Sequence, residues 1–220
     1  MDGETLKPLF DIAVSIRATG EALISRADDI GSILAALQGE RTALVTAYSQ
    51  NDPRWAGQIY AGGLTFATAG CYVTCVSMLA SFAGYTDTPL ETAEKLRDAN
   101  CFNGAMLSYP QRIPNAYRQL EWPANAYWNR QGEYITKAKW EVIKVMIRDA
   151  GPLILKVDYR PENYRFNMHF ILAVKALDDD LEIIDPIDGQ RSSLLERYGD
   201  TRGWSARQAI FGYRGLRMKR

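Results

Sequence analysis

The chain has one histidine, His169, and three cysteines, Cys71, Cys75 and Cys101. Any mechanism that pairs a thiol or a hydroxyl with an imidazole must therefore use His169. His169 opens an apolar run, Phe170-Ile171-Leu172-Ala173-Val174, that passes through Leu177-Asp178-Asp179-Asp180 into Leu181-Glu182-Ile183-Ile184-Asp185. A hairpin centred on Leu177 sets His169 directly opposite Asp185, where paired β-carbons lie about 4.5–5.5 Å apart on one face. A carboxylate in that position fixes the imidazole tautomer and stabilises the imidazolium.

Among the thiols, Cys71 has the position that favours reactivity. It follows Ala69-Gly70 and starts an apolar helical segment, so backbone N–H groups and the positive end of the helix dipole would stabilise the attacking thiolate. A buried structural cysteine is the plainer reading of Cys71 taken alone. That plainer reading also suits Cys75, one turn deeper in the same segment, and Cys101 carries no signature. Cys71, Cys75, Cys101 and His169 are zinc-ligand types, but the Cys-x3-Cys pair sits on a helix, so no metal is expected.

Taken in order, Tyr48-Ser49-Gln50-Asn51-Asp52-Pro53-Arg54-Trp55, Ala69-Gly70-Cys71-Tyr72-Val73-Thr74-Cys75-Val76-Ser77-Met78, Gly151-Pro152-Leu153-Ile154, His169-Phe170 and Asp185-Pro186 resemble the peptidase C39-like family of papain-fold cysteine peptidases. The resemblance spans roughly residues 44 to 215. It implies a papain-like fold, Cys71 as nucleophile, His169 as base, Asp185 as its orienter, and Gln50 as an oxyanion donor. Tyr72, Val73 and Cys75 depart from the family's usual small residues, proline and serine, which bears on substrate fit. Hydrolysis of a peptide or amide bond is the implied reaction, and acyl transfer would use the same residues. The alternative is a catalytically idle papain-like domain that serves as a binding or structural module.

The elements that must position these residues form an α+β domain, helices first and antiparallel strands afterwards. A strand is expected over Leu44–Tyr48, then a turn-rich stretch to Gly62-Gly63 and a helix from Cys71 to about Phe82. Thr88-Pro89-Leu90-Glu91 has the capping-box pattern with proline at the first helical position, and starts a helix to about Asp98. Residues 100–135 read as irregular, with a short helix over Asn115–Leu120. A helix over Lys137–Ala150 ends at Gly151, and strands follow at Leu153–Asp158, His169–Ala176, Leu181–Asp185 and Ala209–Arg214. This is residues 44–220, the catalytic domain.

Residues 1–39 are different. Leu6, Leu9, Ala13, Ile16, Gly20, Leu23, Ala27, Ile30, Leu34 and Leu37 alternate in gaps of three and four, the seam of a heptad helix. Pro8 fits its first turn and Gly39 its stop. Such a helix over residues 5–38, about 50 Å long, either oligomerises or docks a partner, or packs on its own domain.

Lys plus Arg and Asp plus Glu both number 26, with no block of like charge, so a nucleic-acid partner is not expected. Acidic residues at the N-terminus argue against a signal peptide, no apolar run is long enough to span a bilayer, and three cysteines do not make a disulfide framework. The expectation is a soluble, cytoplasmic or phage- or virion-associated protein with a peptide or protein substrate and no cofactor. Asp178-Asp179-Asp180 reads as a solvated turn and not a calcium loop, and Gly62-Gly63 lacks the context of a phosphate loop. The five tryptophans read as core or pocket wall.

Overall fold

The computed structural model describes residues 15–30, 33, 45–123, 135–159, 167–200 and 203–219. The chain divides into two units, Met1–Glu40 and Arg41–Arg220. In the first, residues 15–30 form helix α1. The seam residues Ile16, Leu23 and Ile30 are 67%, 61% and 58% exposed. The heptad positions before residue 15 and after residue 33, with Pro8 and Gly39, lie outside the described residues.

The second unit is a mixed domain of helices and an antiparallel sheet. Its first hairpin, β1 (Ile59–Ala61) with β2 (Leu64–Thr65), turns at Gly62 and Gly63, whose φ angles of 53° and 83° suit glycine. Helix α2 (Phe66–Ala69) runs into α3 (Cys71–Phe82), in which Tyr72 through Ala80 are all buried. A helix apolar on every side belongs inside a domain, and α3 is the central one. Gly70, between the two, is needed for space: a β-carbon there would lie 2.6 Å from the Phe66 carbonyl oxygen. Helix α4 (Pro89–Asp98) begins with the expected capping box, the Glu91 N–H donating to Thr88 Oγ1 and the Thr88 N–H to Glu91 Oε2.

The short helix between residues 110 and 120 falls earlier than the sequence suggests. A 3₁₀ turn, Pro110–Arg112, leads into α5 (Ile113–Ala116), because Pro110 and Pro114 both occupy first-turn positions. Strand β3 (Leu120–Glu121) follows. Helix α6 (Lys137–Ala150) is capped by Thr136 and buries Trp140, Ile143, Lys144 and Ile147, one stripe at helical spacing. It ends at Gly151, with φ of 95°.

The remaining chain is mostly sheet. Strands β4 (Leu153–Asp158), β5 (Met168–Ala176), β6 (Leu181–Asp185), β7 (Gln190–Ser193) and β8 (Ile210–Arg214) make one sheet in the order β7-β6-β5-β4-β8, each pair antiparallel. Helix α7 (Leu194–Tyr198) follows β7, and β9 (Arg217–Met218) pairs with β3. All six residues of β4 are buried, as a strand covered on both faces requires. One face carries Ile154, Phe170, Leu172 and Ile184 against α3; the other carries Leu155, Ile171, Ala173 and Ile183 against α6 and α7. Trp55 and Trp140 are buried in these two cores.

Two further expectations about the strands need correction. Residues 45–49 join no strand; the Thr46 N–H donates to Ser81 Oγ at 2.9 Å instead, and the segment's later residues bind the loop after β6. The hairpin register also differs, for Ala176 pairs with Leu181 and Leu172 with Ile184, the two stretches being offset by a bulge between Ala173 and Lys175. His169 is therefore not directly opposite Asp185.

Candidate functional site

The bulge nevertheless brings these two residues together. Extending the Leu172–Ile184 register by one pair puts Asp185 opposite Ile171, two residues from His169 and on its face. Diagonal neighbours of this kind lie within reach of long side chains. His169 Nε2 is 2.9 Å from Asp185 Oδ1. The turn-end register, continued without the bulge, would pair Asp185 with Leu172 and send His169 to the opposite face.

Asp185 is fully buried and has four partners among the described residues. Besides His169, the Ile187 N–H donates to Oδ1 at 2.9 Å, while Arg197 Nε at 2.6 Å and the Tyr198 hydroxyl at 2.5 Å donate to Oδ2. Burial pushes its pKa up more than any other single influence, but His169, Tyr198 and the Ile187 N–H together bring it down to about 2. The carboxylate is thus charged, and Arg197 also holds Asp188 at 2.7 Å.

His169 is likewise buried, near the rings of Tyr159 and Tyr198, with centroids 5.5 and 6.4 Å away. Burial, the largest influence, lowers its pKa; hydrogen bonding and charge from Asp185 and Cys71 outweigh it and raise the value to about 9. With Nε2 directed to Asp185, Nδ1 is the nitrogen left to meet Cys71.

Cys71 is the first residue of α3 and half-buried, at the end where the helix dipole is positive. Cys75 and Cys101 are fully buried, and burial raises both of their pKa values. Among the described residues no group of three or more His, Cys, Asp or Glu could hold a metal ion.

Gln50 reaches the same place by a different route. Its N–H donates to the Pro186 carbonyl at 2.5 Å, and Ser49 Oγ and Asn51 Nδ2 both donate to the Ile187 carbonyl at 2.8 Å. The loop that follows Asp185 therefore also docks the Gln50 segment. A β-carbon on Gly189 would come within 3.2 Å of the Tyr48–Ser49 backbone, a tight contact at a φ of 71° that suits glycine. The Gln50 amide nitrogen donates to the Ala67 carbonyl at 3.0 Å, which leaves its second N–H for another acceptor. Gln50 Oε1 is buried with no partner among the described residues.

Gln50, Cys71 and His169 line one cleft of about 490 Å³. All four residues singled out in the sequence meet here, three on the cleft wall and Asp185 behind His169. The sequence reading missed Arg197 and Tyr198, which complete the carboxylate's shell, and Arg214 on the cleft wall. One signal existed for the first two: Ser193-Leu-Leu-Glu196 has the form of a helix start, and Ser193 does cap α7. Asp180, read as a solvated turn residue, accepts from the Leu181 and Leu195 N–H groups and from Ser193 Oγ, and so ties the hairpin to α7.

A mixed α+β domain with a thiol at a helix start and a buried imidazole–carboxylate pair in one cleft is a cysteine peptidase-type arrangement. The model of the Peptidase_C39 like family matches residues 43–208, and the chain belongs to that family. No curated protein and no solved structure matches it. Among the described residues, no helix is long and apolar enough to cross a membrane.

Proposed function

We propose that the chain is a papain-like cysteine peptidase or amidase in which Cys71 attacks, His169 transfers protons, Asp185 orients His169 and Gln50 binds the oxyanion. The observation that carries this reading is the placement of His169, with Nε2 on a buried carboxylate and Cys71 acting on the same ring.

His169 Nδ1 takes the Cys71 thiol proton, and the thiolate bonds to the substrate carbonyl carbon. Negative charge moves to the carbonyl oxygen, where the second Gln50 Nε2–H and the first-turn N–H of Cys71 receive it. As the tetrahedral adduct collapses, the C–N bond breaks and the imidazolium gives its proton to the leaving amine, which leaves a thioester on Cys71. His169 then takes a proton from water, and the resulting attack releases the acid and restores the thiol. Asp185 stays ionised throughout, steadying the imidazolium.

The test is incubation of the wild-type chain and Cys71→Ser with a proteome-derived peptide library, reading new termini by mass spectrometry. Cuts made only by wild type support a hydrolase, and wild-type-dependent ligation products would mean acyl transfer. A library left intact by wild type would sink the catalytic reading in favour of an idle binding module.

The exposed seam residues Ile16, Leu23 and Ile30 favour a second, separate role for the N-terminal segment: self-association through its heptad seam. Sedimentation of wild type and Leu23→Glu checks this, since a monomer in both would exclude it.

A further inference from the structure

The residue after Cys71 and the residue after His169 touch. Tyr72 and Phe170 are stacked, with centroids 4.6 Å apart and planes 22° from parallel. The Arg214 guanidinium lies over both rings, 5.3 Å from the Tyr72 centroid and 5.5 Å from that of Phe170. Tyr72, Phe170 and Arg214 all line the cleft that holds Cys71 and His169.

The electrostatics of that wall are one-sided. Its described residues include Arg214 and His169 but no aspartate or glutamate, since Asp185 lies behind His169 and fully buried. Burial keeps Tyr72 a neutral phenol by raising its pKa, so the ring supplies its π face and no negative charge. A planar guanidinium set against a pair of stacked rings is restrained in orientation, which is what recognition of a carboxylate by paired N–H donors requires.

We infer that Arg214, held by Tyr72 and Phe170, is a specificity-determining residue that receives a substrate carboxylate beside the scissile bond, so that the cleft takes acidic peptides. This inference rests on the peptidase reading above and adds its substrate class. The carboxylate can be a side chain or a free chain end, and the experiment separates the two.

Labelled Cys71→Ala protein is applied to an array of random dodecapeptides, each printed also with Asp and Glu replaced by Asn and Gln, and with acid or amide C-termini. Acidic peptides are expected to bind at least about fivefold better than their amide counterparts, and in Cys71→Ala/Arg214→Met that preference falls to under about twofold. A preference that follows the C-terminal acid alone would assign the carboxylate to a chain end. Arg214→Lys keeps the charge without the fork, and is expected to keep part of the preference; it serves in place of Arg214→Met if that variant fails to fold by circular dichroism. Equal binding of acidic and neutral peptides, or an undiminished preference in the Arg214 variants, would overturn the inference. Turnover is scored separately on wild type: acidic binding without cleavage removes the peptidase reading and leaves the subsite, whereas cleavage indifferent to charge does the reverse.

Discussion

His169 and Asp185 meet diagonally across the β5–β6 ladder, 2.9 Å apart, because a bulge between Ala173 and Lys175 shifts the register by one residue. Parity is what matters. A one-residue offset exchanges the faces of a strand, and the bulge cancels such an offset inherited from the turn. The pair it creates can be followed directly, because His169 is the chain's one histidine.

In the first prediction, the His169 ring protons, titrated by NMR, report an apparent pKa near about 9, well above the ordinary 6.5. Asp185→Asn removes the charge while keeping the shape, and the midpoint falls. Cys71→Ala lowers it as well. A midpoint unmoved by both substitutions would mean that neither neighbour sets the proton affinity.

Stability should change with pH in a corresponding way. His169 has its pKa raised on folding, so its contribution is complete below 6.5 and is lost as pH rises through about 9. Asp185 has its pKa lowered, so its contribution is present above 3.8 and is lost as pH falls towards about 2. Urea midpoints measured from pH 3 to 10, where both numbers are roughly the limits of such titrations, should decline at both ends, and the acid limb should flatten in Asp185→Asn.

Cysteine labelling separates the three thiols. Iodoacetamide should modify Cys71 in the folded protein while Cys75 and Cys101, both fully buried, stay unlabelled. His169→Ala should slow labelling of Cys71 about tenfold or more at neutral pH, read by peptide mass spectrometry. Equal rates with and without the imidazole would count against a thiol–imidazole pair.

Gln50→Ala should lower kcat by roughly 10²–10³, about 2.7–4 kcal/mol of transition-state stabilisation, if its free N–H binds an oxyanion. The rate of Cys71 alkylation, which forms no oxyanion, should remain close to wild type. A matching loss of alkylation would indicate that Gln50 supports the fold of the cleft instead.

Gly70→Ala tests the junction that presents Cys71. Alanine ordinarily strengthens a helix over glycine, but here the new β-carbon would stand 2.6 Å from the Phe66 carbonyl oxygen and 2.8 Å from its ring. Overpacking should prevail, with a destabilisation of about 1–3 kcal/mol by urea unfolding.

What the sequence determines by itself is local, since capping, helix stops and apolar periodicity depend on groups within a few residues. The Thr88–Glu91 box, the extents of Cys71–Phe82 and Lys137–Ala150, and the strands from Leu153 and Leu181 all follow from such neighbours. The order of Gln50, Cys71, His169 and Asp185 was legible too, through the family resemblance. The tertiary structure alone decided how they meet. A bulge has no signature in the alternating pattern of β5, because the burial of Phe170 through Val174 on two covered faces hides the period. Arg197, Tyr198 and Ile187 close around Asp185, and Gln50 docks on Pro186, through hydrogen bonds whose worth depends on excluding water. That exclusion exists only once distant segments have packed, and so does the Tyr72–Phe170–Arg214 wall, which joins one helix to two strands.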